Sequence, residues 1–214
     1  TTTSWMNDNY LRDKYNTIKH IMIQYDIYQK KIDDYNPLNY YGFEFMITDD
    51  DTLVGNNNVF ITSRSIPWID LIPSNPPKII TIGFQGFGFP HKGIHKIAMK
   101  VQDEFDEAII RLHIPYSHYG DPNGTLAHAR VEEVRKIITK PGIKIEASHD
   151  FLSDEEIIKW LNKNTINCYF YDYLNGAGIA SSPDYALAAK RPIAITKSHQ
   201  MRHMWNLSPS ILGD

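Results

Sequence analysis

The chain has 214 residues, 42% of them hydrophobic, which is enough to bury one large core or two small ones. No apolar run approaches the roughly 18 residues that a membrane-spanning helix needs. The net charge is −3 and no block of Lys or Arg stands out, so the composition does not suggest a nucleic-acid partner bound through its phosphates.

The only cysteine, Cys168, excludes an intramolecular disulfide and a thiolate metal cluster. Because a single thiol fits a reducing compartment, we expect a cytoplasmic protein. The first residue is Thr rather than Met, as in a processed chain or a fragment of a longer protein.

The N-terminal part predicts a long helix followed by strands. Residues 4 to 35 carry apolar and aromatic side chains at alternating spacings of three and four, which is typical of one amphipathic helix. Asn36-Pro37 would end it. Phe43 to Thr48 and Val59 to Ser63 then form a hairpin or a pair of strands.

The strongest linker signal is the proline-rich stretch from Pro73 to Pro77. We therefore divide the chain into an N-terminal region of residues 1–76 and a second domain of residues 77–214.

Beyond this linker, short β-rich runs alternate with helical segments, which predicts parallel βαβ units. The fold class is therefore α/β, a doubly wound, Rossmann-like parallel sheet preceded by the long helix and a small β-containing region. Ligands bind such sheets beyond the carboxyl ends of the strands. The predicted strands are Ile79–Phe84, Ala108–Ile114, Ile143–Ala147, Ile166–Tyr171 and Ile193–Thr196; the predicted helices are Lys92–Phe105, Thr125–Thr139, Ser153 to about Asn164, with a Ser153/Glu156 capping box, Asp184–Lys190 and His199–Trp205.

The loop after the first of these strands is rich in glycine, including Gly86 and Gly88, and leads to Lys92 at a predicted helix start. A cation there opposes the helix dipole unless an anion lies between them, so a bound diphosphate would explain Lys92. The alternative is a solvated surface lysine.

The loop after the fourth strand contains Gly176 and Gly178 and leads to Ser182, a good N-cap, with Pro183 at the first helical position. Free N–H groups and a positive dipole end suit an anion such as a diphosphate. An ordinary strand-to-helix turn is the alternative.

Two further loops offer polar side chains. Ser148, His149 and Asp150 follow the third strand, where His and carboxylate groups could hold a ribose or sugar hydroxyl; alternatively Asp150 only caps the turn. The loop Pro115–Asp121, with His118, is polar and aromatic and could stack on or bind a sugar. Spacing alone does not decide between these roles.

Metal ligands are scarce. The pairs His91/His95 and His199/His203 have the spacing of helical metal ligands, but neither has the Glu of a metalloprotease helix or an evident third ligand. The triplet Asp49–Asp51 resembles the acidic metal motif of the single-domain nucleotide-sugar transferases, or is simply an acidic turn. We therefore predict no metal site.

Residues 78 to 205 resemble the C-terminal, donor-binding domain of GT-B-fold glycosyltransferases. The resemblance rests on two motifs in the order that the family has them. Gly83–Phe89 followed by His91-Lys92-Gly93 is similar to the family's glycine loop and its Lys-Gly pair, which contacts the donor phosphates. Asn175–Pro192 is similar to the family's Glu-Gly-Phe-Gly stretch and the helix that ends in Gly-x-Pro.

The resemblance implies a transferase that is metal-independent, needs no cofactor other than its nucleotide-sugar donor, and acts on an unknown acceptor. From the composition we expect no nucleic-acid partner and no membrane span. Imidazoles titrate near neutrality, so His118 and His149 are candidate catalytic bases. The predicted donor-binding residues are Gly86, Gly88, Lys92, Ser148, Asp150, Gly178, Ser181, Ser182 and Asp184.

The chain also departs from the family pattern. Many members carry two glutamates seven residues apart, where this chain has Asn175 or Ala177 for the first and Tyr185 or Asp184 for the second. Only about 76 residues precede the predicted donor domain. These departures motivate a second hypothesis, a protein that kept the transferase fold as a binding or structural module without activity.

Overall fold

The structure is a computed structural model that describes residues 17–39, 43–72, 74–174 and 178–212. The chain divides into two compact units. The smaller unit comprises residues up to Ser65 and a short piece that includes Gly178 and Ile179. The larger unit begins at Ile66 and continues, after that piece, from Ala180. The boundary after Ser65 lies before the proline-rich stretch that we used to place a boundary from the sequence.

The smaller unit contains a three-stranded parallel sheet in the order β1-β2-β3. Its strands are β1 (Ile21–Ile23), β2 (Phe45–Thr48) and β3 (Val59–Ile61), and a short helix α1 (Gln29–Asp33) follows β1. Its core is a cluster of buried aliphatic and thioether side chains: Met22, Ile27, Ile32, Met46 and Val59.

One prediction for this region is wrong. Residues 17–35 do not form one helix, because Ile21–Ile23 pairs with Phe45–Ile47 as a strand and only the five residues of α1 are helical. The run Ile-Met-Ile also fits a strand, and Met22 is the buried residue of this strand. Of the two alternatives for β2 and β3, a hairpin or a pair of strands, the pair of strands is confirmed, since they pair in parallel. The first part of the predicted helix, residues 4 to 16, lies outside the described residues.

The acidic triplet belongs to this unit and is a turn with local partners. Asp49 pairs with Arg64 at 3.0 Å, and Asp50 accepts hydrogen bonds from both the N–H and the hydroxyl of Thr52. In the part of the chain that the structure describes, no group of three His, Cys, Asp or Glu side chains is arranged to hold a metal ion.

The larger unit contains a six-stranded sheet in the order β6-β5-β4-β7-β8-β9, with every neighbouring pair parallel. This is the 3-2-1-4-5-6 order of a doubly wound dinucleotide-binding fold, so the predicted fold class is confirmed. The strands are β4 (Thr81–Gln85), β5 (Ala108–His113), β6 (Ile143–Ser148), β7 (Ile166–Tyr169), β8 (Ile193–Thr196) and β9 (Ser210–Leu212), the last of which the sequence analysis missed.

Helices connect these strands, as predicted. The capping box at the start of the third helix of this unit is confirmed, since the Ser153 hydroxyl accepts from the Glu156 N–H and the Glu156 carboxylate accepts from the Ser153 N–H. The helices are α2 (Ile94–Glu104), α3 (Thr125–Ile137), α4 (Asp154–Asn162) and α5 (Ser182–Ala188), and a 3₁₀ helix covers His199–Leu207.

One continuous apolar core lies between the sheet and its helices. Cys168 is buried in β7, and burial raises the pKa of its thiol to about 12, so it packs as a small apolar side chain. The strand order reverses between β4 and β7, because the chain leaves β4 toward β5 on one side and later returns to β7 on the other. The site must therefore be sought at the carboxyl end of β4.

None of the helices formed by the described residues is long and apolar enough to cross a bilayer.

Candidate functional site

The loop after β4 begins with a glycine that allows close approach of a second loop. Gly86 has φ 147°, and its N–H donates to the carbonyl of His113 at the end of β5, at 3.1 Å. A Cβ at Gly86 would lie 3.0 Å from the hydroxyl oxygen of Ser182. The loop after β4 and the start of α5 therefore come together because residue 86 lacks a side chain.

The next turn of the same loop positions Lys92. The sequence predicted that Lys92 starts an α-helix, but Lys92 ends a 3₁₀ turn (Pro90–Lys92). The reason is that Gly93 has the left-handed φ of 62°, so α2 begins only at Ile94. A Cβ at Gly93 would lie 1.8 Å from the carbonyl oxygen of Phe170, beyond β7. Gly93 thus packs the turn against the chain that leaves β7.

In this position Lys92 contacts Tyr171. The Lys92 ammonium donates to the Tyr171 hydroxyl at 2.9 Å and lies 4.1 Å from the centre of its ring. Tyr171 is buried, whereas Lys92 is half-buried at the rim of a cleft. The lysine is therefore a cation held toward the cleft, and not a freely solvated side chain.

This cleft has a volume of about 260 Å³ and lies beyond the carboxyl ends of β4 and β5. One part of its wall is polar and comes from the loop after β4 and the start of α5. The opposite part is mostly apolar and comes from the chain after β5 and the start of α4. The lining residues are Gln85, Gly86, Phe87, Lys92, His113, Pro115, Phe151, Leu152, Asp154, Ile157, Ser181, Ser182 and Tyr185.

Two nearly buried polar side chains, Gln85 and His113, lie side by side in this cleft. They are register partners at the ends of β4 and β5, and His113 is in turn the register partner of Ser148 in β6. The His113 Nδ1 pairs with the Ser148 hydroxyl at 2.9 Å. Within the described residues, the Oε1 of Gln85 and the Nε2 of His113 have no hydrogen-bond partner.

The surroundings of the His113 imidazole favour its neutral form. Burial lowers its pKa below the ordinary value; Asp150 acts against this shift and His149 acts with it. Its ring also packs at 5.7 Å from the ring of Trp160. A neutral ring with Nδ1 engaged presents Nε2 as a donor or an acceptor, depending on the tautomer.

A carboxylate enters the cleft from the start of α4. Asp154, the first residue of that helix, accepts a hydrogen bond of 2.7 Å from the hydroxyl of Tyr185 in α5. Burial and this hydrogen bond raise the pKa of Tyr185 to about 12, so its hydroxyl remains a donor at neutral pH. The sequence predicts α4, the helix of Asp154, but does not connect it with ligand binding.

The structure brings four of the predicted donor-binding residues together: Gly86, Lys92, Ser181 and Ser182 all line the cleft. The helix start is shifted by one residue from the prediction, since Ser181 is the N-cap and α5 begins at Ser182. Ser148 contributes indirectly, through its bond to His113.

Two other predicted residues serve as packing or buried groups. A Cβ at Gly88 would lie 2.7 Å from the Cα of Ala127, so this glycine allows α3 to pack against the loop. Asp184 is buried and lies 3.5 Å from the Nε2 of His203. Neither residue lines the cleft.

His118 and His149 line a second cleft of about 310 Å³, together with Tyr116, Ser117, Pro122 and Phe151. Phe151 belongs to both clefts. The Nδ1 of His149 bonds to the carbonyl of Ile114 at 2.8 Å, which fixes its N–H there and leaves Nε2 as an acceptor. Asp150 is exposed beside these residues and lines neither cleft.

Asp121, in the aromatic loop that precedes α3, has a structural role. Its two carboxylate oxygens accept from the N–H groups of Leu126 and Ala127 at 2.9 Å each, which caps α3. Gly178 belongs to the smaller unit, where its Cβ would lie 2.4 Å from Asp26. Residues 175–177, with Gly176 and the position of the first family glutamate, lie outside the described residues.

Sequence reasoning missed Gln85, His113, Asp154 and Tyr185. Gln85 and His113 are the last residues of β4 and β5, two mostly apolar strands. The rule that ligands bind beyond strand carboxyl ends would have found them if it had been applied to the strand ends as well as to the loops.

No family model matches the sequence, and no curated protein matches it. Solved structures do match the fold. A glycosyltransferase from Rickettsia africae superimposes with a TM-score of 0.61 at 14% identity, covering 92% of this chain and 56% of its own. Anabaena HepE in complex with UDP and glucose superimposes with a TM-score of 0.62 at 10% identity, covering 90% and 56%.

A third structure, an UDP-forming trehalose-phosphate synthase from Burkholderia xenovorans, gives a TM-score of 0.61 at 6% identity and covers 95% of this chain and 59% of its own. The chain therefore spans little more than half the length of the structures that it matches. These comparisons confirm the resemblance at the level of the fold: the chain has the α/β architecture of glycosyltransferases of the GT-B type.

Proposed function

We propose that this chain is the donor-binding part of a glycosyltransferase, which moves a sugar from a nucleoside diphosphate to an unknown acceptor. The observation that carries this proposal is the cleft at the strand-order reversal, where the Lys92 ammonium and two nearly buried polar atoms without partners in the described residues meet. A matching structure with a similar fold contains UDP and glucose.

Lys92, with the hydroxyls of Ser181 and Ser182, would bind the diphosphate. A fixed cation at this place stabilises the negative charge that develops on the leaving diphosphate as the bond to the sugar breaks. Because Lys92 is already held by Tyr171, little ordering of its side chain is needed when the nucleotide binds. The proposed reaction therefore relies on protein groups and needs no metal.

Asp154 would accept hydrogen bonds from hydroxyl groups of the donor. Its carboxylate repels phosphate but suits the O–H groups of a ribose or a sugar. The hydroxyl of Tyr185 holds this carboxylate in the cleft. This pair would replace the second glutamate of the family pattern, whose nearest counterparts here are Tyr185 itself and the buried Asp184.

The candidate bases stay in the second cleft. An acceptor bound there could give its proton to His149, whose Nε2 is fixed as an acceptor by the bond between Nδ1 and the Ile114 carbonyl. His118 lines the same cleft and is the second candidate. Phe151 alone is shared between the two clefts, so donor and acceptor would meet across its ring.

A catalytically inactive binding protein is the second candidate function. The absence of a glutamate at Tyr185 and the buried position of Asp184 favour it, because the usual second carboxylate of the family does not line the cleft. The two candidates agree on nucleotide binding and differ on turnover.

A two-step experiment tests the proposal. Thermal unfolding is first measured with UDP, GDP, ADP and CDP, since a ligand of the folded state raises the melting temperature. The matching sugar nucleotides are then incubated with the protein, and release of the nucleoside diphosphate is followed with and without a mixture of sugar acceptors. Binding with release supports the transferase, binding without release supports the inactive protein, and no shift with any nucleotide contradicts both.

A further inference from the structure

Three adjacent strands end in a row of polar side chains, two of which line the first cleft, and the diphosphate does not explain them. Gln85, His113 and Ser148 are register neighbours at the carboxyl ends of three adjacent strands. Gln85 is 8% and His113 1% exposed, and both line the cleft. In the described part of the chain, one polar atom of each lacks a hydrogen-bond partner.

A nearly buried polar atom without a partner destabilises the folded protein, so it calls for another group, such as a ligand group or a water, to complete the hydrogen bond. The Ser148 hydroxyl already holds Nδ1 of His113, which leaves Nε2 for that group. Two adjacent atoms of this kind in one cleft indicate a ligand group that both can contact.

The chemistry of Gln85 Oε1 argues against a phosphate as its partner. An amide oxygen only accepts hydrogen bonds, and a diphosphate oxygen only accepts them as well, so Gln85 Oε1 requires an N–H or O–H of the ligand. Lys92, on the loop that follows β4, is the donor suited to the anion. The walls near the row are apolar, and Pro115, Leu152 and Ile157 fit a flat ring better than a charge.

We propose that Gln85 and His113 bind the nucleoside moiety of the donor, with Gln85 Oε1 accepting from a ring N–H or a ribose hydroxyl and His113 Nε2 completing the contact. This inference rests on the proposed nucleoside diphosphate donor. Lys92 then binds the diphosphate end, so the ligand lies along the carboxyl edge of the sheet. Ser148 is a positioning residue that orients the His113 ring.

The variants are chosen to remove one atom at a time. Gln85→Met keeps the length of the side chain and removes its amide. His113→Asn keeps an amide near Ser148, in place of Nδ1, but removes Nε2, the atom that faces the cleft. His113→Gln keeps an amide in place of Nε2 but loses the group that contacts Ser148. Gln102→Met is the matched control, since the Gln102 amide lies in α2 and is bonded to Thr139.

Dissociation constants are measured by calorimetry with UDP, GDP, ADP and CDP, and with inorganic diphosphate as the probe that lacks a nucleoside. For the nucleotide that binds the wild type most tightly, Gln85→Met and His113→Asn are expected to bind about five- to hundredfold more weakly. Binding of inorganic diphosphate is expected to be unchanged. His113→Gln should lose less than His113→Asn.

Stability provides an independent readout. Gln85→Met should unfold at the same or a higher temperature than the wild type, because a nearly buried amide without a partner for its oxygen is removed. Gln102→Met should unfold at a lower temperature and bind nucleotide normally, because it loses satisfied hydrogen bonds. A merely structural Gln85 would behave as Gln102 does.

Two results overturn the inference. If the wild type binds a nucleotide and Gln85→Met and His113→Asn bind it equally well, the pair does not contact the nucleoside, while the proposed function stands. If both variants lose as much affinity for inorganic diphosphate as for the nucleotide, Gln85 and His113 contribute to the anion site instead. Absence of nucleotide binding to the wild type removes the inference and the proposed function together.

Discussion

At the scale of single residues, the contacts of Lys92 with Tyr171 replace the interpretation of a solvated surface lysine. Lys92 ends a 3₁₀ turn just before α2 and is not the first residue of that helix. The buried Tyr171 holds its ammonium by a hydrogen bond and by its ring face, and such contacts order a lysine without neutralising it. Lys92 is therefore ordered at the rim of the cleft, where it can bind an anion.

We expect Lys92→Ala to weaken binding of a nucleoside diphosphate by about ten- to two-hundredfold, since it removes a charge-assisted contact worth about 1.5 to 3 kcal/mol. Unlike the removal of a cation from a helix start, this substitution should slightly destabilise the free protein, because the contacts with Tyr171 are lost. Calorimetric titration and thermal unfolding measure the two effects.

Lys100→Ala is the matched control, because Lys100 is an exposed lysine of α2 paired with Glu104. It should leave the affinity unchanged. Equal affinities for Lys92→Ala and the wild type would remove the phosphate role from the loop after β4.

At the scale of elements, the site depends on two loops that approach each other through glycines. Gly86 leaves room for the Ser182 hydroxyl, and Gly93 leaves room for the Phe170 carbonyl. Among the glycines that the structure describes, only Gly93 combines a left-handed φ with backbone in the space of its missing Cβ, so the path of the 3₁₀ turn depends strongly on it.

Gly93→Ala should therefore destabilise the protein by at least about 2 kcal/mol, since a left-handed alanine is strained and its Cβ would collide with the Phe170 carbonyl oxygen. Urea unfolding measures this loss. Gly142→Ala is a useful comparison, because a Cβ there also meets a carbonyl, that of Asp106, but lies away from the cleft. Nucleotide binding should weaken in the folded fraction of Gly93→Ala only.

At the scale of the whole molecule, the stability of the folded state should depend on the histidines that folding buries. Burial is the main cause that lowers the pKa of both His113 and His91 below the ordinary value of 6.5. The unfolded chain then binds protons more readily than the folded protein does as the pH falls below that value.

We accordingly expect the free energy of unfolding to decrease as the pH falls from 7 through 6.5 toward 5, and not to rise. Urea denaturation at several pH values measures this slope. The His113→Asn variant should show a shallower decrease, because one of the two protonation sites is gone. An equal slope in this variant and the wild type would show that His113 does not contribute.

The proposed reaction uses no metal ion, and this expectation concerns all the candidate ligands of the molecule together. If a sugar nucleotide is turned over, EDTA should leave the rate unchanged, because Lys92 supplies the positive charge at the diphosphate. Activity that is lost in EDTA and restored by manganese would contradict this expectation, and would direct attention to Asp49 and Asp51.

The sequence alone determined the architecture of the larger unit. Glycine, proline and capping residues act through the local backbone, and the β-rich runs of β4 to β8 can be recognised without knowing their neighbours. For the same reason the Ser153/Glu156 capping box and the placement of Lys92, Ser181 and Ser182 at strand-to-helix connections could be predicted.

Only the tertiary structure decided the remainder, because it depends on contacts between segments far apart in the sequence. Ile21–Ile23 is a strand since β2 lies beside it, although its spacing also fits a helix. The Asp154 carboxylate belongs to the cleft through the hydroxyl of Tyr185, 31 residues away. Gln85 and His113 become a pair only through the register of β4 with β5, and side-chain alternation within one strand carries no information about its neighbour's register.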